Sequence, residues 1–361
     1  MGRNPESGAH SMIYLDYQAT TQMAPEVFAT MEPWLKESFW NPHSAHAGGR
    51  KAAAAVEAAR AQVAALLPTG GKLVFTSGAT EAINLAIKGS GLPVSAYATE
   101  HAAVLDCVAL SGGDIDPVRN DGIYMATPLR NHGLAVAMLV NNEIGTIQPI
   151  AEIASTVHAD GGLLLCDAVQ GFGRMQIPDG ADMIAISAHK IHGPKGIGAL
   201  WVRDGVRLEP LIHGGGQEQG LRSGTLSPAL CIGFGAAAML AKERMDEDRA
   251  HVEGLWGRAC ELFAKWTVNG STAQRYKGNL NIRRDGIDVG RLMSECREVL
   301  FSAGSACASG SGRPSHVLRA IGLSDAQAKS SIRLGWGRYT SIEEIERAAE
   351  MINAAAERQL A

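Results

Sequence analysis

Three residues of this chain could carry covalent chemistry. Lys190 stands in "ISAHKIHGPKGIGAL", directly behind an apolar run, among His189, His192 and a glycine-rich turn. A lysine fixed at a strand end beside polar groups can form a Schiff base with an aldehyde cofactor such as pyridoxal phosphate. The plain alternative is a solvated surface amine. Asp167 ends "GLLLCDAVQ", about 23 residues earlier. A carboxylate at the end of a buried strand needs a partner, because an unpaired buried charge is costly. That partner is an arginine, a helix N-terminus, or a pyridinium nitrogen that the carboxylate keeps protonated so the ring can accept electrons. Cys307 lies in "FSAGSACASG", where no large side chain follows Phe301 to bury a thiol. An exposed thiol among small residues is a chemical risk unless the sulfur has work to do.

Other groups fit around these. "TSGATEAIN" puts a glycine turn at a helix start, where the N–H groups of Gly78, Ala79 and Thr80 and the Thr80 hydroxyl suit a phosphate. An ordinary N-cap by Ser77 or Thr80 would explain the same residues. His101, in "ATEHAAVL", is either a structural histidine or a flat ring for stacking and proton transfer near neutral pH. Arg333, in "SSIRLGWGR", is a surface charge or a bidentate fork for a substrate carboxylate. The glycine-rich "HGGGQEQGLRSGT", residues 213–225, is long for a connection, and its Arg222, Ser223 and Thr225 could reach a phosphate, across a subunit boundary included. His43 and His46 have no evident third ligand, so no metal is expected there.

The elements that must position these groups alternate. "KLVFTSG", "LAVAMLV", "GLLLCD" and "DMIAIS" read as strands, and "ATEAINLAIKG" and "IAEIASTVHADG" as helices between them. Continuous apolar strands separated by helices predict an α/β fold with a mainly parallel sheet covered on both faces. Ligands of such sheets bind at the carboxyl ends of the strands, which is where Thr76, Ser77, Asn141, Asn142, Asp167, Ser187 and Lys190 fall. Beyond about residue 240 the texture changes to one long amphipathic helix, short strands in "NLNIRR" and "SSIRLGW", and a closing helix from Ser341.

The 361 residues exceed what one core usually serves. The expected division is a leader over 1–11, an N-terminal segment over 12–25 packing on the small domain, a large cofactor domain over 26–240, and a small α+β domain over 241–361 carrying Cys307. "MGRNPESGAHS" lacks the apolar stretch of a signal peptide and reads as an added or disordered extension, with Met12 the natural start. A composition 46% hydrophobic and 19% charged suits a globular protein, and the net charge of -4 speaks against a nucleic-acid binder. No apolar run is long enough to span a membrane. The six cysteines form no C-x-x-C pair, which points to a reducing cytoplasm. Cys107, Cys166, Cys231 and Cys260 sit in apolar strand or helix patterns and read as buried.

The assembled motifs resemble a family. "YLDYQATT", "TSGATEAINLAIKG", "TEHAAVLD", "VNNEIGTIQPI", "CDAVQ", "SAHKIHGPKGIGAL", "HGGGQEQGLRSGT", "GSACASG" and "SSIRLGWGRYT" are similar, in order, to those of cysteine desulfurases. These are fold type I, class V aminotransferase-like pyridoxal phosphate enzymes with a large domain on a seven-stranded-type sheet. The resemblance runs from Ile13 to about Ala355, and the "GSAC" loop is similar to the NifS and IscS group rather than the short-loop SufS group. It implies Lys190 as the Schiff-base lysine, Asp167 on the pyridine nitrogen, Gln170 on the ring hydroxyl, Asn142 beside the ring and His101 stacked on it. It implies Ala79, Thr80, Ser187 and His189 around the phosphate, with Thr225 supplied by the partner of a homodimer.

Arg333, Asn41 in "FWNPHSAH" and Asn142 would hold L-cysteine. Lys190 or His101 would move the α-proton, and Cys307 would take the sulfur as a persulfide for an acceptor or iron-sulfur scaffold protein, leaving alanine. A small-residue loop would let Cys307 serve both the cofactor and an outside acceptor. Selenocysteine lyase or aminotransferase activity on the same scaffold, and a non-enzymatic binding homologue, are the alternatives. Two departures bear on the acceptor. Gly312-Arg313 replaces a Leu-Glu pair common in relatives, and the chain stops at Ala361 without the longer tail that IscS-type enzymes use to bind a scaffold.

Overall fold

A computed structural model of the chain describes residues 12–125, 133–304 and 314–361. In order these form β1 (Ile13–Tyr14), α1 (Pro25–Lys36), α2 (Ala47–Ala64), β2 (Gly71–Thr76), α3 (Ala79–Ser90), β3 (Val94–Tyr97), α4 (Ala102–Leu110) and β4 (Asp114–Asp116). There follow β5 (Leu134–Met138), α5 (Ile150–Ala159), β6 (Leu163–Asp167), β7 (Met183–Ser187), β8 (Gly198–Arg203) and α6 (Pro228–Leu262). The remainder is β9 (Thr267–Val268), β10 (Asn279–Arg283), α7 (Val289–Glu295), β11 (Val299–Leu300), β12 (Ser302–Ala303), α8 (His316–Ala320), α9 (Asp325–Lys329), β13 (Ser331–Gly335) and α10 (Ile342–Leu360).

Seven strands form one sheet in the order β2-β8-β7-β6-β5-β3-β4. Every pairing is parallel except the two that β8 makes, with β2 and with β7. Since β2 and β7 both run against β8, all the other strands point the same way. β5 and β7 are apolar and buried along their whole length apart from the terminal Ser187 of β7. That suits strands covered on both faces. One hydrophobic cluster packs α1, α2, α5 and the first half of α6 on one face, and another packs α3 and α4 on the other.

The antiparallel strand β8 was not among the strands expected from the sequence. Its consequence is local: Ser187 pairs with Gly198, so residues 188–197 become a turn closed at both ends by the sheet, and Lys190 rides on it. Gly198 is required by close approach. A Cβ there would lie 2.6 Å from the Ile186 carbonyl oxygen and 2.7 Å from the Gly78 carbonyl carbon.

A second sheet, ordered β12-β13-β10-β9 and antiparallel throughout, carries a separate core with α7, α10 and the later part of α6. Ile13 and Leu15 join that core, and β1 pairs with β11. The long helix expected from about residue 241 starts earlier, at Pro228, and runs 35 residues. "ALCIGFGAAAML" is its buried first third, packed in the main core, while Val252, Leu255 and Ala259 face the second. The change of texture near 240 marks a change of neighbours along one continuous helix.

Candidate active site

The parallel strands end on a cavity of about 590 Å³. Its wall includes Ala79, Thr80, His101, Asn142, Asp167, Gln170, Ser187, His189, Lys190 and Arg333, ten residues expected from the sequence. Thr225 and Asn41 are exposed and do not line it within one chain. Cys307 lies outside the described residues.

Lys190 follows β7 in a single 3-10 turn. Its Nζ donates to the main-chain carbonyls of Gln18 (2.6 Å) and Ala19 (2.7 Å). Burial pushes this amine down to about 7, and the positive charges of Arg174 and Arg333 push the same way. Both effects disfavour the ammonium form and so favour a nucleophilic amine near neutral pH. Asp167 is the last residue of β6 and is buried; its Oδ1 accepts from the Val169 N–H at 3.0 Å. Burial raises its carboxyl above the ordinary range, with His101 and Lys190 opposing. No cation hydrogen-bonds it among the described residues, so it is a carboxylate in want of a positive partner.

His101 is the N-cap of α4, and its Nδ1 accepts from the Ala103 N–H at 3.1 Å. With Nδ1 an acceptor, the neutral ring carries its proton on Nε2. Burial lowers its pKa, so the neutral ring is the favoured form. His189 is pushed down to about 4, first by burial and then by Lys190, Lys195 and Arg174, and its Nδ1 lies 3.1 Å from the Thr20 hydroxyl.

The first turn of α3 opens on the same cavity. The N-cap is Gly78, with no side-chain cap, so neither Ser77 nor Thr80 satisfies the leading N–H groups. Ser77, Gly78, Ala79 and Thr80 all line the cavity, and a Cβ on Gly78 would meet nothing within 4 Å, so the turn borders open space. An uncapped helix start facing a cavity is a seat for an anion.

Arg333 sits mid-strand in β13, between Asn281 of β10 and Ser302 of β12, and its side chain is 1% exposed. It donates to Asp16 Oδ1 (2.6 Å), the Asn142 carbonyl (3.1 Å) and Ser302 Oγ (3.2 Å). Its Nε has no partner. Gln170 is held from both ends: its Nε2 donates to the Gln18 carbonyl at 2.9 Å, and its Oε1 accepts from Arg174 at 2.7 Å.

Several lining residues escaped the sequence reading. Gln18, Ala19 and Thr20 come from "YLDYQATT", and Lys195 and Gly196 from the Lys190 turn. Asp16, paired with Arg333, comes from the same N-terminal motif, whose position ahead of any apolar run gave no hint of it. The loop 213–225 also differs from expectation. Arg222 is paired with Glu81 of α3 at 2.9 Å, and the buried Ser223 accepts from the Gly216 N–H, so neither hangs free to reach a phosphate. The buried Glu218 anchors the loop, accepting both Arg60 nitrogens at 2.7 Å and the Phe75 N–H at 2.6 Å.

The five described cysteines are poor nucleophiles. Burial raises Cys107, Cys260 and Cys296, pushes Cys231 up to about 12, and holds Cys166 well above the ordinary thiol value. Cys260 is only partly buried, while the other four are buried. The segment 305–313 is flanked by two anchored residues. The Gly304 N–H donates to the Ser331 carbonyl at 3.0 Å, and the Ser315 hydroxyl donates to the buried Glu143.

Residues 13–348 match the family model described as aminotransferase class-V. The chain belongs to the aminotransferase class-V family. Class-V enzymes depend on pyridoxal phosphate, and the cavity fits that group. The uncapped α3 start suits its phosphate, the cation-poor Asp167 its protonated ring nitrogen, and the depressed Lys190 amine its aldehyde. Among curated relatives, the chain is 42% identical over 368 aligned positions to a protein named cysteine desulfurase IscS from Rickettsia rickettsii (strain Iowa), covering 94% of this chain and 90% of the relative. A class-V relative of the same name from Rickettsia bellii is 41% identical over the same shares. Among solved structures, a NifS-like protein from Rickettsia africae superposes with a TM-score of 0.89 at 28% identity, covering 96% of this chain and 99% of that one. SspA in complex with cysteine superposes with a TM-score of 0.79 at 35% identity, covering 91% and 99%.

Proposed function

We propose that this chain is a pyridoxal phosphate-dependent L-cysteine desulfurase, releasing alanine and holding the sulfur as a persulfide on Cys307. The observation that carries the reading is the convergence of Lys190, Asp167, His101, Arg333 and the uncapped α3 start on one cavity. The 42% identical relative named cysteine desulfurase and the cysteine-bound SspA structure support the choice of substrate.

The cofactor, when bound, supplies an aldehyde that captures amines and a ring that stabilises negative charge at the substrate Cα. Lys190 holds it covalently. Ala79, Thr80, Ser187 and His189 take its phosphate, the neutral His189 as a hydrogen-bond partner rather than a charge. Asp167 would keep the ring nitrogen protonated, with Gln170, Asn142 and His101 the groups placed to hold the ring. Arg333 takes the substrate carboxylate with donors left over from Asp16, and Asn41 assists. Lys190, neutral above about pH 7, accepts the α-proton, and His101, whose neutral ring carries its proton on Nε2, can donate one. The Cys307 thiolate attacks the substrate sulfur, so that an S–S bond forms as the Cβ–S bond breaks and its electron pair passes to carbon; Cβ takes up a proton and Lys190 returns one to Cα, giving alanine.

A division into a large and a small domain within α6 accompanies this reading. So do a homodimer in which the partner supplies Thr225, cytoplasmic location, and delivery of the sulfur to an acceptor such as an iron-sulfur scaffold protein. Among the described residues no helix is long and apolar enough to cross a membrane. Incubating the loaded protein with L-cysteine and reductant should yield alanine and sulfide in equal amounts. Release of pyruvate, or of a keto acid with amino transfer, would turn the assignment toward another class-V reaction.

A further inference from the structure

A second cavity, of about 250 Å³, lies between the middle of α6, the turn after Gln170, and the segments around Tyr276 and Trp336. It shares Lys190 with the first cavity. Nothing in the proposed reaction uses it.

Its wall is both aromatic and cationic. Tyr17, Tyr276 and Trp336 supply rings, and, with Lys190 held as a neutral amine, the charged side chains are five arginine and lysine cations and two carboxylates. Of the two, Asp248 is committed to Arg338 at 2.6 Å, and Glu253 is exposed. Three of the cations, Arg174, Arg275 and Lys277, have no carboxylate partner among the described residues, and Lys277 donates to the Thr272 carbonyl. The fully buried Arg275 spends its donors on the carbonyls of Asn269, Ser271 and Asn279 and on Asn279 Oδ1. Arg174 donates to Gln170 and to the Lys190 carbonyl while lying over the Tyr276 ring at 5.2 Å. Arg338, 4% exposed, has a buried Nη1 with no partner among the described residues. Buried positive charge without a counter-charge is costly, and a guanidinium fork is shaped for a carboxylate.

We propose that this cavity is an accessory site for a small aromatic carboxylate. The rings take an apolar body, and the Arg338 donor with the surplus positive charge takes the anion. Inorganic anions would leave the aromatic walls wet, and a neutral ring would leave the guanidinium groups without a counter-charge. The volume falls just under the range of drug-sized sites of roughly 300–1,000 Å³, so one ring with one carboxylate is the fitting size. Arg174 links the two cavities, since it grips Gln170 and the Lys190 carbonyl. Occupancy by an anion would therefore also be felt at the lysine, a coupling that rests on the proposed function, whereas the site itself does not.

The probe is 4-fluorobenzoate, followed by fluorine NMR with the cofactor-loaded protein. Saturable binding at millimolar concentration or below is expected, and saturating L-cysteine should shift its affinity through the coupling without displacing the probe. Sulfate and benzyl alcohol at equal concentration should fail to displace it. Lys277→Glu and Arg249→Glu reverse charges on the cavity wall and should each weaken binding by about tenfold, an easily resolved change in dissociation constant. Absence of saturable binding, displacement by L-cysteine, displacement by either control compound, or unchanged affinity in both variants would overturn the proposal. Each of these readouts is independent of whether alanine is formed.

Discussion

A lysine of ordinary pKa is almost wholly protonated at neutral pH and cannot attack an aldehyde. Lys190 is held near 7 instead, by burial first and by Arg174 and Arg333 after it. The rate of cofactor attachment to the apo protein should therefore rise through about pH 7 and level off, well before the 10.5 of a free lysine. Arg174→Gln should move that midpoint upward, as followed by the visible absorbance of attached cofactor; an unmoved midpoint would remove Arg174 from the account. The same depression has a stability cost with a definite sign. The unfolded chain holds the extra proton between about pH 7 and 10.5, so this group's penalty is full below 7 and fades as pH rises across that window.

Asp167→Asn should keep the fold, because the shape is conserved, but lose about 100-fold in turnover, the scale of one preorganised electrostatic partner. Near-normal rates in that variant would take Asp167 out of the mechanism. Lys190, Asp167 and His101 were legible in the sequence because polar residues beyond apolar strands have few structural reasons to be there. Asp16 was not legible, since its role depends on Arg333, 317 residues away.

Elements place these groups more finely than residues can. The α3 start faces the cavity because β8 passes directly beneath Gly78, and it passes there because Gly198 has no side chain. Gly198→Ala would drive a Cβ to 2.6 Å from the Ile186 carbonyl oxygen and 2.7 Å from the Gly78 carbonyl carbon, so backbone must move. Thermal unfolding should show a loss of about 1–3 kcal/mol, the usual cost of overpacking. Cofactor affinity should fall more than tenfold, because the displaced turn is the one proposed to seat the phosphate. A variant that loses stability but keeps its cofactor affinity would place the phosphate elsewhere. The parallel strands were readable from their continuous apolar runs. β8 was not, because "GALWVR" follows the Lys190 turn without the helix that separates parallel neighbours. The long helix was read as starting near 241 rather than at Pro228 for a related reason: composition reports burial, and α6 changes its neighbours without changing its conformation.

At the scale of the whole molecule, one chain presents Thr225 to solvent rather than to its own cavity. The loop carrying it is nonetheless firmly seated, with Glu218 buried against Arg60 and Arg222 against Glu81. A seated loop with one exposed hydroxyl fits delivery to a neighbouring subunit. Thr225→Ala should weaken cofactor binding in the dimer, and dilution to monomer should weaken it further, as read by equilibrium dialysis. Equal affinity in monomer and dimer would confine the site to one chain.

The central claim is that the sulfur of L-cysteine passes to Cys307, which the sequence places among small residues with no large side chain after Phe301 to bury a thiol. Loaded protein exposed briefly to L-cysteine, without reductant, should gain the mass of one sulfur per chain. Peptide mapping should place it on Cys307, with alanine released in equal amount. In Cys307→Ser the cofactor should stay bound and alanine should not form, because a hydroxyl is a far poorer nucleophile than a thiolate toward sulfur. Sulfur found on Cys166 or Cys296, or normal alanine release by the serine variant, would contradict the account.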